Sequence, residues 1–151
     1  MEGTNQFSRL EVAKPADHNE DGVSFEYDEV KSLLTKTGTM NDDLQDIVRL
    51  LACTGARLAE ITGLEVRDIL DKGDDGVVLD LRFNDIRRLK NQQSVRTVPV
   101  VDQKSVAVLR TRIKGRNPSA PVFPRYGRDG GADAASAILS KWLSARNWFR
   151  Q

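Results

Sequence analysis

Cysteine is almost missing from this 151-residue chain: Cys53 stands alone, so no disulfide can form within it. That excludes a disulfide-stapled secreted scaffold and makes a reducing cytoplasm the expected location. No apolar run approaches the ~20 residues that a membrane span needs. The opening stretch, MEGTNQFSRLEVAKPADHNEDG, has neither an apolar core nor a small-residue cleavage site, so it does not read as a secretory signal. Histidine occurs once, at His18 in that stretch, and no metal site is expected. Tyrosine occurs only as Tyr27 and Tyr126.

What is present suits one ordinary domain. Apolar residues are 39% and charged residues 30%, enough of each for a core and a solvated surface. The formal net charge of +1 conceals an asymmetry. Residues 1–81 hold 8 Lys/Arg against 18 Asp/Glu, a balance of −10; residues 82–151 hold 15 against 4, a balance of +11. Between Lys104 and Arg128 there are seven basic residues and no acidic one. Two readings stay open: a polyanion-binding face on an acidic body, or charges that interleave once the chain folds.

Residues 1–22 read as a linker, polar and without periodicity, and residues 23–151 as the folded unit. A first helix is expected after Ser24, with Tyr27, Val30, Leu33 and Leu34 on its apolar side. A second is capped by Asn41, carries Leu44, Ile47, Val48 and Leu51 as a buried stripe, and stops at Gly55. A short helix spans Arg57 to Thr62. Alternation then signals a strand from Val77 to Phe83, with further strands at Ile86–Leu89 and Val95–Val100. Pro99 marks the last as an edge or an end. Asp102 caps a helix bearing Val106, Leu109 and Ile113. Pro118, Pro121 and Pro124 stiffen a loop, and a final helix from Ala132 carries Ile138, Leu139, Trp142 and Leu143. The expected class is α+β, mainly helical with a small three-stranded antiparallel sheet.

The segment LLACTGARLAEITGLEVRDI, Leu50 to Ile69, resembles the first signature block of the tyrosine recombinase (phage integrase) family. There a buried helix ends in Thr-Gly, a catalytic Arg follows two residues later, and an acidic residue comes three after it; here these are Thr54, Gly55, Arg57 and Glu60. RLKNQQSVRTVPV, Arg88 to Val100, resembles the family's β-hairpin, in which a catalytic Lys precedes Ser-x-Arg-x-Val-Pro; here these are Lys90, Ser94, Arg96, Val98 and Pro99. PVFP, Pro121 to Pro124, is a third match. The resemblance covers residues 25–145 and implies the front part of that catalytic domain, incomplete at its C-terminus. The family's His-x-x-Arg block and nucleophilic Tyr do not occur in the sequence.

The resemblance implies DNA integration or recombination by a mobile element. A Tyr attacks a phosphodiester of double-stranded DNA, the 5′-oxygen leaves, and a 3′-phosphotyrosyl link forms. Bond energy is conserved, so no cofactor is needed. Arg57 would grip two non-bridging oxygens with its planar fork. Glu60, one turn on, would orient it. Lys90 would protonate the leaving oxygen. Each has a plainer alternative: a surface arginine, an exposed helix pair, a phosphate-contacting lysine. Arg87, Arg88, Arg96, Arg112, Lys114 and Arg116 are candidate DNA-backbone contacts, with Lys104, Arg110, Arg125 and Arg128 beside them. Other recombinase protomers are expected partners, and a membrane is not. A DNA-holding remnant that does not cut is the alternative function.

Overall fold

The computed structural model describes residues 26–87 and 95–146. They form five α-helices and one three-stranded antiparallel sheet, an α+β fold.

Helix α1 covers Tyr27–Lys36. Its N-cap is Glu26, whose N–H donates to the Glu29 carboxylate at 2.8 Å. Tyr27 is 74% exposed rather than on a buried face. The Lys31 ammonium lies 5.1 Å from its ring centre, so packing within the helix replaces packing into the core.

Helix α2, Asp42–Thr54, is the centre of the core. The Asn41 side chain accepts the Leu44 N–H at 3.0 Å, as a capping asparagine should. Gly55 ends the helix at φ 64°, a left-handed conformation that glycine adopts without Cβ strain. Leu44, Ile47, Val48 and Leu50 are buried, while Leu51 is half-buried. The stripe therefore turns slightly from the expected one in the last turn. The short helix α3 covers Leu58–Thr62.

Strand β1 is Ile69–Asp71, β2 is Val77–Leu81 and β3 is Arg96–Val100, in spatial order β1-β2-β3. Ile69 faces Leu79 across the first pair; Val77 faces Val100 and Leu81 faces Arg96 across the second. Val77, Leu79 and Leu81 point into the core together, as the alternation requires. Pro99 sits in β3, an edge strand, where its missing N–H breaks no ladder.

The sheet differs from the expected one. Ile69–Asp71 is a strand that the sequence pattern did not signal, because three residues are too few for a period. Ile86 and Arg87, expected to begin a strand, lie instead in a turn: the Asn84 side-chain oxygen accepts the N–H of Ile86 at 3.1 Å and that of Arg87. Phe83 lies beyond the end of β2 and is largely exposed.

Helix α4, Gln103–Ile113, starts at Asp102, which accepts the Ser105 N–H at 2.9 Å and its hydroxyl at 2.8 Å. Val106 and Leu109 are buried, as expected. The proline-rich loop runs along residues 64–67, bonding Val66 N–H to the Ala120 carbonyl, Arg67 N–H to that of Pro118, and Val122 N–H to that of Leu64. Val122 and Phe123 are thereby fixed in the core. Helix α5, Gly131–Ala145, packs on α3. A Cβ at Gly131 would lie 1.8 Å from the Tyr126 carbonyl oxygen, so only glycine allows this approach. Along α5 it is Ala135 that is buried; Leu139 is partly buried, and Ile138 is exposed.

Candidate active site

The turn between α2 and α3 is built before any chemistry is considered. The Thr54 hydroxyl donates to the Leu50 carbonyl at 2.6 Å and accepts the Ala56 N–H at 3.2 Å. With Gly55 left-handed, the chain reverses and buries Ala56. Arg57 follows as the N-cap residue of α3 and is exposed.

Glu60 sits beneath it, only 2% exposed, and a carboxylate so buried needs partners. It has three bonds. Its Oε2 accepts the Arg57 backbone N–H at 2.7 Å. Arg96 Nη1 donates to Oε1 at 2.8 Å and Arg96 Nη2 to Oε2 at 2.9 Å, a two-pronged grip. Burial pushes the Glu60 carboxyl up, but the Arg96 hydrogen bonds, the Arg57 N–H and the two positive charges outweigh it and hold the group below the ordinary glutamate value. The contacts that fix Glu60 thus include the Arg57 main chain and the guanidinium of a different arginine. The expected role of Glu60 is to orient the Arg57 guanidinium; the bond between the two residues runs instead from the Arg57 backbone N–H to the Glu60 carboxylate.

The candidate DNA contacts divide on inspection. Arg87 corrects the sequence expectation most sharply: its side chain has no exposed surface. Its Nε donates to the Arg82 carbonyl at 2.7 Å and its Nη1 to Asp68 at 3.0 Å. Asp68 in turn accepts the Glu65 N–H at 2.9 Å. A guanidinium enclosed in this way braces the fold and presents no surface of its own to a phosphate. Arg112 is bound on three sides. It pairs with Asp43 at 2.8 Å and Asp46 at 2.6 Å, and lies 4.8 Å from the Phe123 ring centre. Arg116 donates to the carbonyls of Pro121 and Arg112, holding the proline loop. Arg96 is committed to Glu60, and Lys114 is exposed. Arg88 and Lys90 lie outside the described residues.

The charge asymmetry has a matching explanation. Arg82, Arg87, Arg96, Arg110 and Arg112 all pair with acids from residues 1–81: Asp80, Asp68, Glu60, Asp71, and Asp43 with Asp46. Five of the fifteen basic residues in the second half thus pair with acids of the first half, four of them across the tertiary fold and Arg82 with its near neighbour Asp80. Of the two open readings, interleaving accounts for these five arginines. Lys104, Lys114, Arg125 and Arg128 remain exposed cations outside those pairs.

Two other reactive groups are tied up within the fold, Tyr126 buried and Cys53 half-buried. Tyr126 is 2% exposed, and its hydroxyl accepts from the Asn41 amide at 3.1 Å, so it is not presented to a ligand. Cys53 donates towards the Leu50 carbonyl and Ser105, and burial raises its thiol, leaving little thiolate. Among the described residues no group of His, Cys, Asp and Glu is arranged to hold a metal ion.

Sequence reasoning missed the Arg96–Glu60 grip, although a signal existed. Arg96, Val98 and Val100 alternate on one face of β3, and that face turns towards the core. An arginine in such a register needs a buried acid. For Arg87 and Asp68 nothing local announces the pair. Comparison of the chain with family models, curated proteins and solved structures gave no match.

Proposed function

We propose that this chain carries part of the active site of a tyrosine recombinase, and that its fold is the corresponding part of that catalytic domain. The observation that carries the reading is the Thr54–Glu60 turn: an exposed Arg57 on a tightly bonded turn, above a buried, ionised Glu60. A guanidinium carried on a backbone held in this way stabilises the negative charge that builds on a phosphodiester as a fifth oxygen approaches. Lys90 supplies a proton to the departing 5′-oxygen as the P–O5′ bond breaks, and the attacking tyrosine gives up its phenolic proton as its O–P bond forms.

The nucleophile is not within the 151 residues on this reading. Tyr126 is closed off by Asn41, Tyr27 is exposed but precedes the Arg57 turn whereas the family's Tyr follows it, and no His-x-x-Arg occurs. The same enclosure favours a second reading, a DNA-holding chain that does not cut. A duplex with a nick near the cleavage point, which traps a 3′-phosphotyrosyl adduct, separates the two. The chain alone is expected to give no denaturant-resistant band. Addition of a separately expressed segment bearing His-x-x-Arg and Tyr is expected to produce one, and Arg57→Ala to abolish it. A band from the chain alone, lost on Tyr126→Phe, would defeat the division of the site described here.

A further inference from the structure

Among the described residues, Arg96 is a candidate DNA contact whose hydrogen bonds tie it to Arg57 through Glu60. Its two terminal nitrogens occupy both oxygens of Glu60, and Glu60 Oε2 also holds the Arg57 N–H. Arg96 stands in β3 opposite Leu81, a fully buried residue of the central strand. A rigid strand therefore sets the carboxylate, and the carboxylate sets the first residue of α3.

We propose that Arg96 is a positioning residue that acts through Glu60 to hold the Arg57 turn, rather than a DNA contact itself. Its DNA consequence rests on the recombinase reading; its consequence for the turn does not. A lysine cannot replace it fully, because an ammonium is a point charge and lacks the planar fork that matches both oxygens. With Arg96 gone, Glu60 keeps its burial and loses its main counter-ion. The carboxyl then takes up a proton at higher pH, and the Arg57 N–H loses the charged acceptor that fixes it.

The test reads the Arg57 amide proton by NMR through a pH titration of the full 151-residue chain. In the unsubstituted protein the resonance stays put until pH falls below the ordinary glutamate range. In Arg96→Ala it moves at distinctly higher pH, and in Arg96→Lys between the two. Glu60→Gln makes it insensitive to pH in this range. Arg110→Ala, which removes an ion pair elsewhere, leaves the Arg57 curve unchanged. Should Arg96→Ala fail to fold, Arg96→Lys decides alone, and a curve identical to the parent's overturns the proposal.

A second arm measures affinity for a fluorescein-labelled DNA duplex at low salt. Arg57→Ala and Arg96→Ala are each expected to weaken it by about tenfold. The double variant is expected to be no weaker than Arg57→Ala, since both act at one point. Losses that multiply would show that Arg96 meets DNA itself and would overturn the proposal. Absence of any duplex binding by the parent chain would overturn the recombinase reading instead, leaving the amide titration to decide the role of Arg96.

Discussion

Two places in this molecule set arginine against carboxylate and use the pairing in opposite ways. At the seam between α2 and α4, Arg112 is enclosed by Asp43, Asp46 and the Phe123 ring, with its side chain only 16% exposed. At the turn before α3 the acid is enclosed and Arg57 is exposed. The seam spends its cation on cohesion. The turn keeps its acid satisfied through Arg96 and leaves Arg57 at the surface. Nothing in the residue types separates the two cases. What separates them is which member of the pair faces the core.

This contrast is broken most severely by touching an enclosed cation. Arg87→Met removes the only cation paired with Asp68 among the described residues and leaves a buried carboxylate without its counter-ion. Removing one partner of a buried pair costs about 3–5 kcal/mol. Urea denaturation at neutral pH should show a loss of that size, and a loss under 1 kcal/mol would mean that the pair is not enclosed as described. Arg112→Ala is milder, because both aspartates retain some access to water. It should cost about 2 kcal/mol, with duplex affinity of the folded variant unchanged. A fall in affinity at preserved stability would make Arg112 a DNA contact after all.

Glu60→Gln sharpens the contrast through pH. The Glu60 carboxyl lies below its ordinary value in the fold, so its stabilising contribution is complete above the unfolded value and disappears as pH falls through the folded one. The substitution should cost about 1–2 kcal/mol at pH 7. Denaturation across an acid series should show the gap between parent and variant closing below the ordinary glutamate range. A gap that widens on acidification would contradict the sign. Smallest of all, Arg110→Ala opens an exposed pair with Asp71 and should leave the denaturation midpoint unmoved, as exposed pairs generally do.

The parts of the fold that were legible share one property: their information is local. Asn41 and Asp102 announce helix starts because each cap bonds an amide three residues on. Gly55 announces a stop for a similarly local reason. Val77 to Leu81 alternate along one strand. The mistaken parts depend on distant partners. Strand β1 exists because β2 lies beside it, and Ile86 and Arg87 are held in a turn by the Asn84 side chain, while the rest of the strand expected over Ile86–Leu89 lies outside the described residues. At the candidate site, Arg57 and Glu60 were legible from a seven-residue pattern, while their support from Arg96 spans 36 residues. Counting basic residues in the second half could not tell a polyanion face from paired arginines, because composition does not show which arginines have acids waiting across the fold.

On the proposed recombinase reading, Arg57 meets a phosphate and Arg112 does not. Duplex affinity measured at several salt concentrations tests it directly, because each phosphate neutralised contributes about −0.9 to the slope of log K against log salt. Arg57→Ala should flatten that slope by about one such unit, while Arg112→Ala should leave it where it was. A slope unchanged by Arg57→Ala and flattened by Arg112→Ala would contradict the account.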